Sequence, residues 1–140
     1  NSTAISIILD ELANRIVKIY PSNGHVNEIE KSEFDRQLET LTKVARFGPW
    51  DFQVSGIGEK EGHTEGNPAY LIANAHGTAV DFNNNERSVA FEIRIIPKDM
   101  SKDLSEYRTR KIVVYGRIEG ADYEKNIIWI KDSEISVAEK

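Results

Sequence analysis

The spacing of hydrophobic positions along this chain changes once, at Pro49. Upstream, Ile5, Ile8, Leu9, Leu12, Ile16 and Ile19 recur at helical spacing, while Asp10, Glu11, Asn14, Arg15 and Lys18 take the other side, which predicts an amphipathic helix from Ala4 to Tyr20. Pro21-Ser22-Asn23-Gly24 ends it, because proline cannot continue a helix and Asn-Gly favours a turn. A second helix follows, capped at Ser32 with Asp35 three positions on, or nearer Asn27. Its apolar stripe is Phe34, Leu38, Leu41, Val44 and Ala45, and Gly48-Pro49 stops it.

From Trp50 the period is two. Phe52 and Val54 alternate with Asp51, Gln53 and Ser55, and Gly56-Ile57-Gly58 supplies the bulge or bend that a closing barrel needs. After a polar loop to Pro68, residues 69–82 read as a long strand bent near His76-Gly77, and Asn83-Asn84-Asn85-Glu86 makes the next turn. The third strand, Arg87 to Ile96, sets Val89, Phe91, Ile93 and Ile95 on one face and Ala90, Glu92 and Arg94 on the other. Pro97 ends it, and residues 98–108 hold one short helix carrying Met100, Leu104 and Tyr107. Two β-branched, aromatic runs close the chain, Arg110 to Gly120 and Asn126 to Ile135, joined by a short polar loop.

Three strands, a short helix and two strands is the order of the five-stranded Greek-key OB barrel. The expected fold class is therefore α+β: two N-terminal amphipathic helices packed on a five-stranded OB-like Greek-key β-barrel, in a single domain over 1–140 with a helical part at 1–48 and the barrel at 50–137. The run Val89 to Ile96, the connector ending Tyr107-Arg108-Thr109-Arg110, the strand Lys111-Ile112-Val113-Val114-Tyr115-Gly116-Arg117-Ile118 and the final Ile128-Trp129-Ile130-Lys131-Asp132-Ser133-Glu134-Ile135 also resemble the tRNA-anticodon-binding-like OB families. In those a basic-polar turn leads into a "V-x-V-x-G-x-I" strand and the last strand ends in "L-x-D-C/S-x-I". The resemblance covers about the last ninety residues and implies an OB barrel and, by association, single-stranded nucleic acid binding. OB barrels also bind oligosaccharides and proteins.

Charge argues the other way. The chain has 18 Lys and Arg against 23 Asp and Glu, a formal charge of -5, spread as 6 basic and 7 acidic residues through Pro49 and 12 and 16 after it. Neither part is a basic arm, and the balance opposes nonspecific attraction to phosphate backbones. No cysteine is present, which excludes thiol catalysis, disulfides and thiolate metal sites. No apolar run is long enough to span a bilayer. A start at Asn1 without methionine reads as a processed or trimmed chain, whether cytoplasmic or exported with its signal or anchor removed.

Alternation names the candidate chemistry. With Ile112, Val114, Gly116, Ile118, Ile128 and Ile130 turned into the barrel, the outward set is Arg94, Tyr115, Arg117, Trp129 and Lys131, cations and flat rings of the kind that track phosphates and stack bases. The competing expectation is that Tyr115, Trp129 and Val113 form the surface on which the helices pack, with the cations paired to nearby acids. A secondary basic cluster is Arg108, Arg110 and Lys111, more simply a solvated turn beside Asp103 and Glu106. Trp50 and Phe52 are expected in the core. His25, His63 and His76 lack metal-ligand spacing, Glu59, Glu61, His63 and Glu65 share one polar loop, and no serine sits in a nucleophile elbow. The expectation is a non-enzymatic binding module with no cofactor or metal. Its first-ranked role is protein interaction or assembly, and its second is single-stranded DNA or RNA binding through the outer barrel face.

Overall fold

The computed structural model describes residues 4–20, 24–59, 69–99 and 101–138. Two helices, Ile5–Ile19 (α1) and Glu28–Thr42 (α2), precede five strands, Phe47–Glu59 (β1), Ala69–Val80 (β2), Glu86–Pro97 (β3), Lys111–Asp122 (β4) and Ile127–Val137 (β5), with a 3-10 turn at Leu104–Tyr107 between β3 and β4. The strands close into a barrel in the order β1-β2-β3-β5-β4. Every pairing is antiparallel except β3 with β5. The fold class is as the hydrophobic pattern predicts.

The barrel interior is filled by the alternate residues of each strand. Val54, Leu71, Ala73, Ile93, Ile95, Ile112, Val114, Ile118, Ile128 and Ile130 are all buried, as are Trp50 and Phe52. Each fully buried leucine or isoleucine contributes roughly 1.5–3 kcal/mol. Leu104 and Tyr107 of the 3-10 turn join the same core, and the Tyr107 hydroxyl donates to Ile135 O at 3.3 Å.

β1 is shared between two neighbours. Its first half pairs with β4 and its second half with β2, and the register shifts between Val54 and Gly56 where the strand turns from one to the other. β1 therefore covers only Ala69 to Ala73 of β2. The rest of that edge is taken by α1. The Thr78 N–H donates to Asp10 Oδ1 at 2.8 Å and the Val80 N–H to Asn14 Oδ1 at 2.9 Å, so helix side chains accept the bonds that a neighbouring strand would otherwise take. α1 lies close enough to do this because residue 77 is glycine: a Cβ there would overlap Leu9 O and lie 2.7 Å from the Leu9 carbonyl carbon. Ile8, Leu9, Leu12, Ala13, Ile16, Val17 and Ile19 are buried by the packing.

The second helix differs from expectation. Of its two expected starts it takes the one at Asn27, whose Oδ1 accepts from the N–H groups of Ile29 and Glu30, and not Ser32. It ends at Thr42, so Val44 and Ala45 lie beyond it, and Gly48-Pro49 belongs to β1 instead of stopping the helix. Strand pairing with Gly116 captures the chain from Phe47 onward. Of the expected stripe only Phe34 is fully buried, with Leu38 and Leu41 partly so. Arg15 with Glu30 at 2.8 Å and Gln37 donating to Glu11 at 3.0 Å tie the helices together. β2 ends at Val80, two residues short of its expected end. Met100, His63, Glu61 and Glu65, and the Glu59 side chain, lie outside the described residues.

Candidate nucleic-acid interface

The five outward residues named from alternation share one continuous outer face across β3, β5 and β4. Arg94 pairs in register with Trp129, and Arg117 with Lys131. Two irregularities set this face. The β4–β5 register shifts between Ile118 and Gly120, which brings Gly120 opposite Trp129, and again between Tyr115 and Arg117, where Asp132 takes a positive φ of 52° in β5. The second bulge matters most for the surface. Lys131 and Glu134 are three residues apart, so an unbroken strand would send them to opposite sides; with Asp132 as the extra residue both pair with outward residues of β4, Lys131 with Arg117 and Glu134 with Tyr115.

At one end of the face Arg94 is the centre of a stacked cluster. Its guanidinium lies 4.9 Å from the Trp129 ring centroid and 5.0 Å from that of Tyr70, and the two rings meet edge to face at 5.1 Å. Arg94 Nε donates to Glu92 Oε2 at 2.6 Å, so its charge is compensated in place, and its side chain keeps 24% of its surface exposed. Tyr70 reaches this position because residue 58 on the neighbouring strand is glycine; a Cβ there would sit 2.6 Å from the Tyr70 ring. A guanidinium held flat on aromatic rings is worth about 0.5–2 kcal/mol per contact and offers its own plane for stacking.

In the middle of the face Arg117 and Lys131 oppose one another. Like charges directly across a strand pair are unfavourable without a shared anion. Among the described residues neither has an ion-pair partner, and the Arg117 Nε is buried there without a hydrogen-bond partner. At the far end Tyr115 is 36% exposed, with the Arg46 guanidinium 4.5 Å from its ring centroid. Arg46 also binds Glu134 at 2.7 Å, and Lys98 lies 3.8 Å from the same carboxylate.

α1 packs on β2 and α2 on β4, and their aromatic contacts, Phe34 with Tyr123 and Tyr20 with Tyr123, fall at the β4–β5 turn. Tyr115 stays exposed beneath the Arg46 guanidinium, which corrects the expectation that it lies under the helices; α1 is drawn instead to the uncovered edge of β2. Among the described residues, the paired-cation half of that expectation holds for Arg94 of the five.

Arg108, Arg110 and Lys111 are all exposed. Their expected acidic neighbours are engaged elsewhere, Asp103 with Ser105 and Glu106 with Lys102. Lys111 continues the outward row of β4 beyond Val113 and Tyr115, while the two arginines sit on the connector before it. Nearby titrations follow these local bonds: hydrogen bonding to Tyr107 raises the Lys102 ammonium, and bonds from Ser105 and Ser101 lower the Asp103 and Asp99 carboxyls. Among the described residues no group of three or more His, Asp or Glu is placed to hold a metal ion, and no helix is long and apolar enough to cross a membrane.

Sequence reasoning missed four members of this face. Tyr70 was available from strand alternation once the β2–β3 turn set Ile72 opposite Arg94, because a residue two along is the diagonal neighbour. Glu92 was legible as outward but not as the partner of Arg94. Glu134 is turned outward only by the Asp132 bulge, and Arg46 lies in a segment that reads as helix.

A closed five-stranded barrel of this strand order, with a helical turn between the third and fourth strands, is an OB fold. The sequence matches no protein-family model and no curated protein. Among solved structures the chain is similar to a crystal structure of a deletion mutant of the single-stranded DNA binding protein from Thermus aquaticus, at 23% identity over 64% of this chain and 48% of that one, with a TM-score of 0.36. The chain spans about half the length of that protein, and a likeness this loose bears on neither fold nor ligand; the barrel's own topology carries the assignment.

Proposed function

We propose that this domain is a non-enzymatic binding module for single-stranded nucleic acid, engaged through the outer face of β3, β5 and β4. The observation that carries the reading is the opposed pair Arg117 and Lys131, which has no ion-pair partner among the described residues, beside the Arg94–Trp129–Tyr70 cluster. A phosphate between the two cations relieves their repulsion, and a base laid on the guanidinium or indole uses a flat surface that is already held rigid. The acidic balance of the whole chain is compatible with this, because the face needs only local charge and two of its arginines are neutralised by their own carboxylates. Charge is accordingly concentrated at one cation pair, and stacking acts beside it.

Titration of Trp129 fluorescence with mixed-sequence single-stranded oligonucleotides tests this. Trp50 is 2% exposed and out of a ligand's reach, so the signal belongs to Trp129. Saturable quenching is expected, with log K falling against log salt at a slope of about -0.7, the value for one neutralised phosphate on a single strand. A flat response at low salt would remove the reading. It would favour protein interaction instead, for which the supporting observation is the exposed apolar pair Val26 and Ile29 flanking the Asn27 cap, Ile29 with 74% of its surface open.

A further inference from the structure

Resting on that reading, the geometry points to a second stacking subsite at Tyr115 and Arg46, so that the face takes a short, extended strand along the β4–β5 ladder with bases at both ends and a phosphate between. The two ends have the same composition. At one, Arg94 lies over Trp129 and is held by Glu92; at the other, Arg46 lies over Tyr115 and is held by Glu134. Each is an aromatic ring, a guanidinium stacked on it and a carboxylate fixing that guanidinium. Three successive outward registers of the ladder then read Gly120–Trp129, Arg117–Lys131 and Tyr115–Glu134, which is platform, cation pair, platform.

Spacing decides the form of the ligand. Outward positions two residues apart on a strand are about 6.6 Å apart, which puts the platforms roughly 13 Å from one another. Bases stacked in a duplex rise only about 3.4 Å each, and their faces are turned to their neighbours, so a helical strand presents no two free faces at this separation. An extended single strand with splayed bases does. The footprint is expected near the short end of the range of about 4–16 nucleotides per OB barrel. Arg46 is the residue that makes this subsite, since its guanidinium provides the flat surface over Tyr115 and it sits on the chain entering β1, away from the barrel core.

The test uses the full chain, with single-stranded oligonucleotides of two to twelve residues and the matching duplex, read by Trp129 fluorescence. The wild-type affinity is expected to rise steeply to about four nucleotides and then level, and the duplex to bind at least tenfold more weakly. Arg46→Ala and Tyr115→Ala should each weaken the longer oligonucleotides about tenfold, within the range for losing one stacked base, while the quenching at saturation stays that of wild type because the Trp129 platform is still filled. Circular dichroism of both variants establishes that they are folded. If wild type binds and both folded variants bind equally well, or if they lose the Trp129 signal along with affinity, the second subsite is wrong and the proposed function stands. If wild type does not bind any oligonucleotide, the function itself falls and the subsite with it.

Discussion

Gly77→Ala lowers the stability of this domain by about 3 kcal/mol, at the upper end of the usual cost of over-packing, because the added methyl meets backbone and not a side chain that can swing aside. The Leu9 carbonyl carbon is 2.7 Å from where that Cβ falls and Ala13 Cβ is 3.0 Å away, so α1 itself must move. Moving it stretches the bonds from Thr78 to Asp10 and from Val80 to Asn14, and loosens the packing of seven buried helix residues. Gly120→Ala is the control. That glycine lies in β4 with nothing within 4 Å of its Cβ, and its substitution should change stability by less than about 1 kcal/mol. Urea unfolding of the two variants at matched slope makes the comparison. Equal midpoints would mean that α1 does not approach β2 as closely as Leu9 and Gly77 do here.

Arg117→Glu abolishes the electrostatic part of ligand binding and leaves the fold intact. The substituted carboxylate faces Lys131 across the ladder, so a repulsive pair becomes an attractive one worth about 0.2–1 kcal/mol in favour of the folded state. The ligand loses two charge-assisted phosphate contacts at about 1.5 kcal/mol each, which is roughly a hundredfold in affinity at low salt. The dependence on salt, expected at a slope of about -0.7 in the wild type, should flatten towards zero. This variant is a cleaner probe than Trp129→Ala, because Trp129 packs edge-on against the buried Tyr70 ring and its removal disturbs the barrel wall as well as the ligand. An Arg117→Glu protein that binds as tightly as wild type, with the same salt slope, would place the phosphate elsewhere.

What could be read from the sequence follows the reach of each physical rule. Alternation is local and strong wherever one face of a strand is buried, so the inward set of β4 and β5, the outward set of five and the core placement of Trp50 and Phe52 were all legible. The period change at Pro49 separated helices from barrel, and the element order sufficed for the fold. Of the two starts open for α2, Asn27 prevails over Ser32 because it is also held by α1, its N–H donating to Ile19 O at 2.9 Å. Rules that depend on partners distant in sequence failed elsewhere. Arg46 reads as helix because nothing near it reveals that β4 will capture Phe47. Glu134 obeys alternation only after an extra residue is inserted, and Asp132 at positive φ carries no sequence mark as strong as glycine. The docking place of α1 was hidden for the same reason: it is determined by how little of β2 the bent β1 can cover.

That last arrangement leaves one sheet edge dependent on the helix. All five strands lie between Phe47 and Val137, so the barrel is complete without the first forty-six residues, yet it is not sealed. Stripped of α1, β2 would offer Thr78 and Val80 as free donors beside newly bared Ala79 and Gly77, a template on which a strand of another molecule can lie. α1 thus covers an edge that would otherwise be open to strand addition, and because the chain is made from its N-terminus, the helix precedes the strand it covers.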